Sequence, residues 1–186
     1  QAAIDALERA LEQIDQKIAE LEAARDQKAA LEEVSKALDQ IIEDQQDLNL
    51  DTAKAAEQAK AKAQEAGKPT ENPPGNPEES KQQAQEQSQI GQDVNEVQVQ
   101  AAAAQAPQQA LQSLSAADGN IAQAKQDLGA NQPQAARPDQ AEALENLQDA
   151  KADIDNAIAD LAEQLGEETD NTNALADAAE AIAEAQ

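Results

Sequence analysis

An all-α protein, an elongated antiparallel helical bundle or coiled coil of about five helices with a proline-rich connection, is the fold class the sequence predicts. Three observations carry this. The apolar side chains are of four types only, Ala, Leu, Ile and Val, and the large ones recur at alternating spacings of three and four residues. Ala, Gln and Glu are the three commonest residues, and all have high helix propensity. Proline and glycine gather at a few boundaries instead of interrupting the periodic runs.

The first segment, 1–48, places Ile4, Leu7, Leu11, Ile14, Ile18 and Leu21 at 3-4-3-4-3 spacing, a heptad seam. Arg25 and Lys28 occupy the next two positions of that register, where long basic stems either lie along the seam with their heads in water or fix a register. The seam resumes at Leu31, Val34, Leu38 and Ile41 in a shifted phase. Asn49 or Asp51 is expected to cap a second helix over 52–66, whose seam is almost pure alanine at Ala53, Ala56, Ala59 and Ala63, with Gly67 as its stop.

Four prolines and two glycines within 67–77 exclude a helix there and predict a linker or a wide connection. A third helix over 80–106, capped by Ser80, carries Ile90, Val94, Val97, Ala101 and Ala104. Pro107 opens a fourth, with Leu111, Leu114, Ala117, Ile121, Ala124 and Leu128 on one face and Gly129 as its stop. After a loop at 130–138, Asp139 is expected to cap a fifth helix. Its seam is Leu144, Leu147, Ile154, Ile158, Leu161 and Leu165, with Lys151 the one charged seam position and Gly166 the end. Thr172 or Asn173 starts a short last helix with Leu175, Ala179 and Ile182. The domain organisation expected is an N-terminal helical hairpin over 1–66, a linker over 67–79 and a C-terminal bundle segment over 80–186.

Composition removes most chemistries. None of the 186 residues is Phe, Tyr, Trp, Met, Cys or His, so there is no ring to stack on a base and no imidazole or thiol for zinc or nucleophilic catalysis. The six glycines form no phosphate cradle. Two acidic groups offer oxygen ligands of the kind calcium takes. Asp153, Asp155 and Asn156 diverge along a helix, and the 167–173 stretch lacks the glycine and terminal glutamate of a calcium loop. Neither is taken as a site, so no cofactor or metal is expected and the chain is read as no enzyme.

A net charge of −25, with bases thinning until only Lys125, Arg137 and Lys151 follow Lys81, argues against nucleic acid as a partner. No apolar run reaches the ~18 residues of a membrane span. There is no signal peptide and no initiator Met, and the chain opens inside a helical pattern, so a fragment or processed form is expected.

The run Ala106-Pro107-x-x-Ala110-Leu111, then Ile121-x-x-Ala124-x-x-x-Leu128-Gly129, then Gln140-x-x-Ala143-Leu144-x-x-Leu147 resembles helical segments of large Ala/Gln-rich uncharacterised bacterial envelope proteins. In those proteins a helical hairpin with an L-G-x-x-x-P-x-x-A loop recurs beside membrane helices. The resemblance spans about residues 98–165 and implies a bacterial envelope location and a helical part of a larger assembly. It brings no catalytic residue.

The expected function is therefore non-enzymatic: a structural or interaction scaffold acting by helix–helix pairing, with itself or another protein, along the Ile4–Leu21 and Leu144–Leu165 seams. Two alternatives stand beside it, an artificial helical sequence with no evolved function and an acidic binding module for a basic protein.

Overall fold

A computed structural model describes the backbone of residues 2–68 and 70–184 and the side-chain surroundings of residues 12–68 and 70–166. Among these residues the chain is all-helical, with four helices: α1 (Ala2–Glu65), α2 (Pro77–Ala103), α3 (Gln108–Gly129) and α4 (Pro133–Glu184). α1 packs against α2 and α4, and α3 against the same two. The cross-helix contacts fix the directions. Along α1 and α2, Gln27 meets Gln105 and Gln45 meets Gln87. Along α1 and α4, Ser35 meets Asp155 and Asn49 meets Gln140. Numbers rise on one helix as they fall on its neighbour, so successive helices run antiparallel.

Each helix buries one heptad stripe. In α1 it is Leu31, Val34, Leu38, Ile41, Gln45, Leu48, Thr52, Ala55 and Ala59. In α2 it is Ser80, Gln83, Gln87, Ile90, Val94, Val97, Ala101 and Ala104, and in α3 Ala110, Leu114, Ala117, Ile121, Ala124 and Leu128. In α4 it is Ala136, Gln140, Ala143, Leu147, Ala150 and Ile154. Spacings of three and four alternate throughout, the condition for a straight helix to keep one face inward.

The three connections share one stop. Gly67, Gln105 and Asn131 adopt left-handed backbone with φ of 66, 55 and 59°. The residue after each donates its amide back five positions: Lys68 to Ala63 O at 3.0 Å, Ala106 to Ala101 O at 2.9 Å and Gln132 to Asp127 O at 2.9 Å. This is the Schellman pattern, which satisfies the last carbonyls of a helix. In sequence a proline follows in every case, at 69, 107 and 133, and a proline cannot extend the helix that has just ended.

Four expectations are corrected. The N-terminal hairpin is absent, because α1 passes unbroken through 49–52. Asn49 spends its side chain on Gln45 and Gln140, and Thr52 faces the core. Ser80 is buried within α2, which starts at Pro77 behind an Asn76 cap, so the connection ends at 76 and not 79, whereas α3 does end at Gly129. α4 starts at Pro133 and accommodates Pro138 early in its course, so neither a 130–138 loop nor a cap at Asp139 forms. Gly166 leaves α4 continuous to Glu184, so no separate last helix exists and the count is four, not five.

The 67–76 connection is held down. Gly75 donates its amide to Asn131 O at 3.1 Å, and Asn131 Nδ2 returns a bond to Gly75 O at 3.1 Å. A Cβ on Gly75 would sit 2.9 Å from Pro133 Cγ, so only glycine allows this approach. Asn76 then caps α2 by accepting from Glu78 N at 3.2 Å, with Pro77 at the first helical position.

The stripe in α4 makes a direct prediction. Leu147 is 0% exposed, whereas Leu144 is half-buried at its edge. Leu147→Ala is expected to cost about 2–5 kcal/mol and Leu144→Ala clearly less, measured by urea denaturation; equal losses would show that the core runs through the other register.

Candidate functional site

The seam residues read from the sequence fall into three groups. Ile4, Leu7 and Leu11 lie outside the residues whose side chains are described. Ile14 and Ile18 are 54% and 48% exposed, and Leu21 is half-buried. In α4, Leu147 and Ile154 are fully buried, whereas Leu144, Ile158, Leu161 and Leu165 are half-buried. The α4 seam therefore splits. Its buried centre alternates Ala136, Ala143 and Ala150, where a methyl group lets helices approach closely, with Gln140, Leu147 and Ile154, and Leu144, Lys151 and Ile158 flank it on one side.

Lys151 belongs to the flank, which resolves its place on an apolar seam. Its stem lies half-buried, and its ammonium pairs with Asp155 at 2.7 Å and with Asp39 of α1 at 3.4 Å. Asp155 also accepts from Ser35 Oγ at 2.6 Å. Burial by itself pushes the Asp155 carboxyl up, but the hydrogen bonds from Lys151 and Ser35 outweigh it, and the group lies below the ordinary carboxylate range. The hydrogen bond to Asp155 raises Lys151. This clasp joins α1 to α4 beside the apolar core.

The residues that sequence reasoning missed are polar and central. Gln45, Gln87 and Gln140 are 0, 0 and 1% exposed. Gln87 Nε2 donates to Gln45 Oε1 at 2.7 Å, and Gln140 Nε2 donates to Gln87 Oε1 at 2.9 Å and to Thr52 Oγ1 at 3.1 Å. Gln45 Nε2 donates to Asn49 Oδ1 at 2.6 Å, and Asn49 Nδ2 to Gln140 O at 3.2 Å. One chain of amides thus ties α1, α2 and α4 together. It stands between the main apolar cluster and a small one formed by Ala124, Leu128 and Ala136. The signal was available, since each glutamine sits at the heptad position where an aliphatic residue is expected.

The surface carries a second feature. Between α1 and α2 runs a groove with Leu48 and Ile90 at its base and Asp44, Asp47, Asp51, Glu86 and Asp93 on its walls. Glutamines one turn away hold three of these acids: Gln40 on Asp44 at 3.0 Å, Gln82 on Glu86 at 2.9 Å and Gln89 on Asp93 at 3.0 Å. These neutral donors leave the negative charge in place, and Lys54 pairs with Asp51 at 2.8 Å. Among the described residues no group of three or more carboxylates converges to hold a metal ion, and no helix is long and apolar enough to cross a membrane.

At the far end, the α2–α3 turn closes against α1. Gln27 Nε2 donates to Gln105 O at 3.4 Å, and Ala23, Asp26 and Ala30 line the same hollow as Ala103 and Ala104. Beyond that level α1 continues for about twenty residues, or ~30 Å, and this outer part carries Ile14 and Ile18. Comparison of the chain with protein-family models, with curated proteins and with solved structures gives no match.

Two outcomes follow. Gln87→Leu takes the donor from Gln45 and one acceptor from Gln140, and is expected to cost about 1–3 kcal/mol in urea denaturation. Replacing Gln45, Gln87 and Gln140 together by Leu, with Thr52→Val, is expected to recover most of that loss, because the buried partners then leave together; a combined variant less stable than the single one would contradict this.

The depressed Asp155 contributes stability that is fully present above its unfolded pKa and is lost as pH falls through the lower folded value. Asp155→Asn is therefore expected to lower the Tm at neutral pH and to match the wild type in strong acid. In NMR titration Ser35→Ala should move the Asp155 midpoint upward, and an unmoved midpoint would remove Ser35 from the clasp.

Proposed function

We propose that the chain is a non-enzymatic structural or interaction scaffold that works by helix–helix pairing through the outer part of α1. One observation carries this reading: Ile14 and Ile18 keep about half of their surface in water, at heptad spacing, on a helix whose stripe from Leu31 to Leu48 is buried. Covering an isoleucine contributes roughly 1.5–3 kcal/mol, so a row of aliphatic residues left open favours a partner helix.

The partner class is protein. The charge of −25 disfavours polyanions. The resemblance to bacterial envelope proteins supports a place within a larger envelope assembly. The motif on which that resemblance turns, Leu128-Gly129 with Pro133 and Ala136, lies here at the tight connection between α3 and α4, with Leu128, Pro133 and Ala136 buried.

A labelled peptide with the sequence of residues 2–30 serves as the test. Its fluorescence anisotropy is expected to rise on titration with the whole chain and to stay flat with the Ile14→Glu, Ile18→Glu double variant. Equal binding by both proteins would overturn the reading.

A further inference from the structure

We infer that the helix partner of the outer part of α1 is a second copy of this chain, docked antiparallel so that the outer parts of α1 and α4 from both copies complete a four-helix cross-section. The inference rests on the pairing reading above and names its occupant.

The first support is where the core stops. Along α2 and α3 each helix has two neighbours, and the heptad stripes of all four face one interior. The turn at Ala104–Pro107 ends two of the four helices at the level of Gln27. α1 and α4 continue as helices beyond it, to Ala2 and to Glu184. Two positions of the cross-section thus fall open along the same stretch. A lone partner helix fills one of them. A second copy related by a two-fold axis supplies two helices and has its own two openings filled in return, the self-complementary arrangement of a closed dimer.

The second support is the register of α1. Extending the buried stripe backwards from Leu31 by four and three leads to Gln27, Ala24 and Glu20, none of them a large aliphatic. The outer seam instead runs through Leu21, Ile18 and Ile14, one position out of phase, and the last two are half exposed. An outer seam that merely prolonged the intramolecular core would keep the core's phase. A rotated seam serves a different set of neighbours.

The third support is charge. The outer part of α1 is only weakly acidic, with Arg9, Lys17, Arg25 and Lys28 among seven acids in 2–28, whereas 152–186 holds ten acids and no base. Placing the two acidic α4 helices side by side would set like charges together. Placing α1 of each copy beside α4 of the other keeps the two strongly acidic helices on the diagonal, so this order around the ring is the one assigned.

The test is the oligomeric state of the whole chain. Sedimentation equilibrium at physiological ionic strength is expected to show a dimer. The Ile14→Glu, Ile18→Glu variant is expected to weaken association by about a hundredfold or more, with the helical circular dichroism and melting of the body retained. The absence of cysteine allows single-cysteine variants to fix the geometry. In an antiparallel overlap Ile14→Cys, near the middle of the outer part, joins to its own counterpart through a short bis-maleimide. Ile4→Cys does not, nor does Leu50→Cys on the exposed side of the body. Strong joining at Ile4 would show a parallel dimer and overturn the overlap. A wild-type chain that stays monomeric while the 2–30 peptide still binds overturns the second copy alone; loss of both overturns the pairing reading as well.

Discussion

Close approach of helix backbones is the constraint on which the structure depends. With no aromatic ring and no Met, no side chain can bridge a wide gap between helices, and a gap left unfilled forfeits dispersion contacts outright. Two of the stripes therefore alternate size along their length. In α4, Ala143, Leu147, Ala150 and Ile154 take successive layers, and in α3 Leu114, Ala117, Ile121 and Ala124 do the same. Between α2 and α3 the approach is tighter still, since a Cβ at Gly91 would lie 3.1 Å from Ile121 Cγ2. Cores of this kind are narrow and grow by length, which is why helices of 64 and 52 residues serve a chain of this size.

A core of alternating alanine and aliphatic residues is repetitive, and repetition invites slippage by a heptad. The amide chain through Gln45, Gln87 and Gln140 opposes that. Shifting one helix by two turns would bring a glutamine opposite a leucine and leave buried donors and acceptors without partners, a penalty larger than the small apolar differences between layers. The Lys151 clasp with Asp39 and Asp155 does the same from the rim of the α1–α4 contact, more weakly because it is wet. Together they define a single alignment for a sequence whose apolar pattern alone would tolerate several.

The same physics divides the molecule into a finished part and an open one. From Leu31 to Ala59 every position of the α1 stripe is buried, by apolar contact or by amide. Outward from Leu21 the aliphatic residues keep heptad spacing but change phase, and those described are half in solvent. The two outer ends also differ in charge, with Arg9, Lys17 and Arg25 interspersed among the acids of α1 and no base in 152–186. This contrast, more than any pocket, supports the proposed pairing.

The sequence by itself determined the helical class, the α2 stripe from Ile90 onward and the α3 stripe from Leu114 onward, the Leu31–Ile41 seam and the helix-ending regions near Gly67 and Pro107, because each depends on local spacing, propensity or the missing amide of proline. It also excluded most catalytic chemistries by the residue types it lacks. Only the tertiary structure decided that α1 runs through Asn49 and Asp51, that α4 absorbs Pro138 and Gly166, and that glutamines occupy the core. Those outcomes turn on partners distant in sequence. Asn49 is a potential cap until Gln45 and Gln140 engage its side chain, and a buried glutamine is costly until another helix brings its amide into reach. Lys151 shows the same limit: spacing placed it on a seam, and the fold sets it at the rim, paired with Asp39 and Asp155, while Ala143, Leu147, Ala150 and Ile154 fill the core.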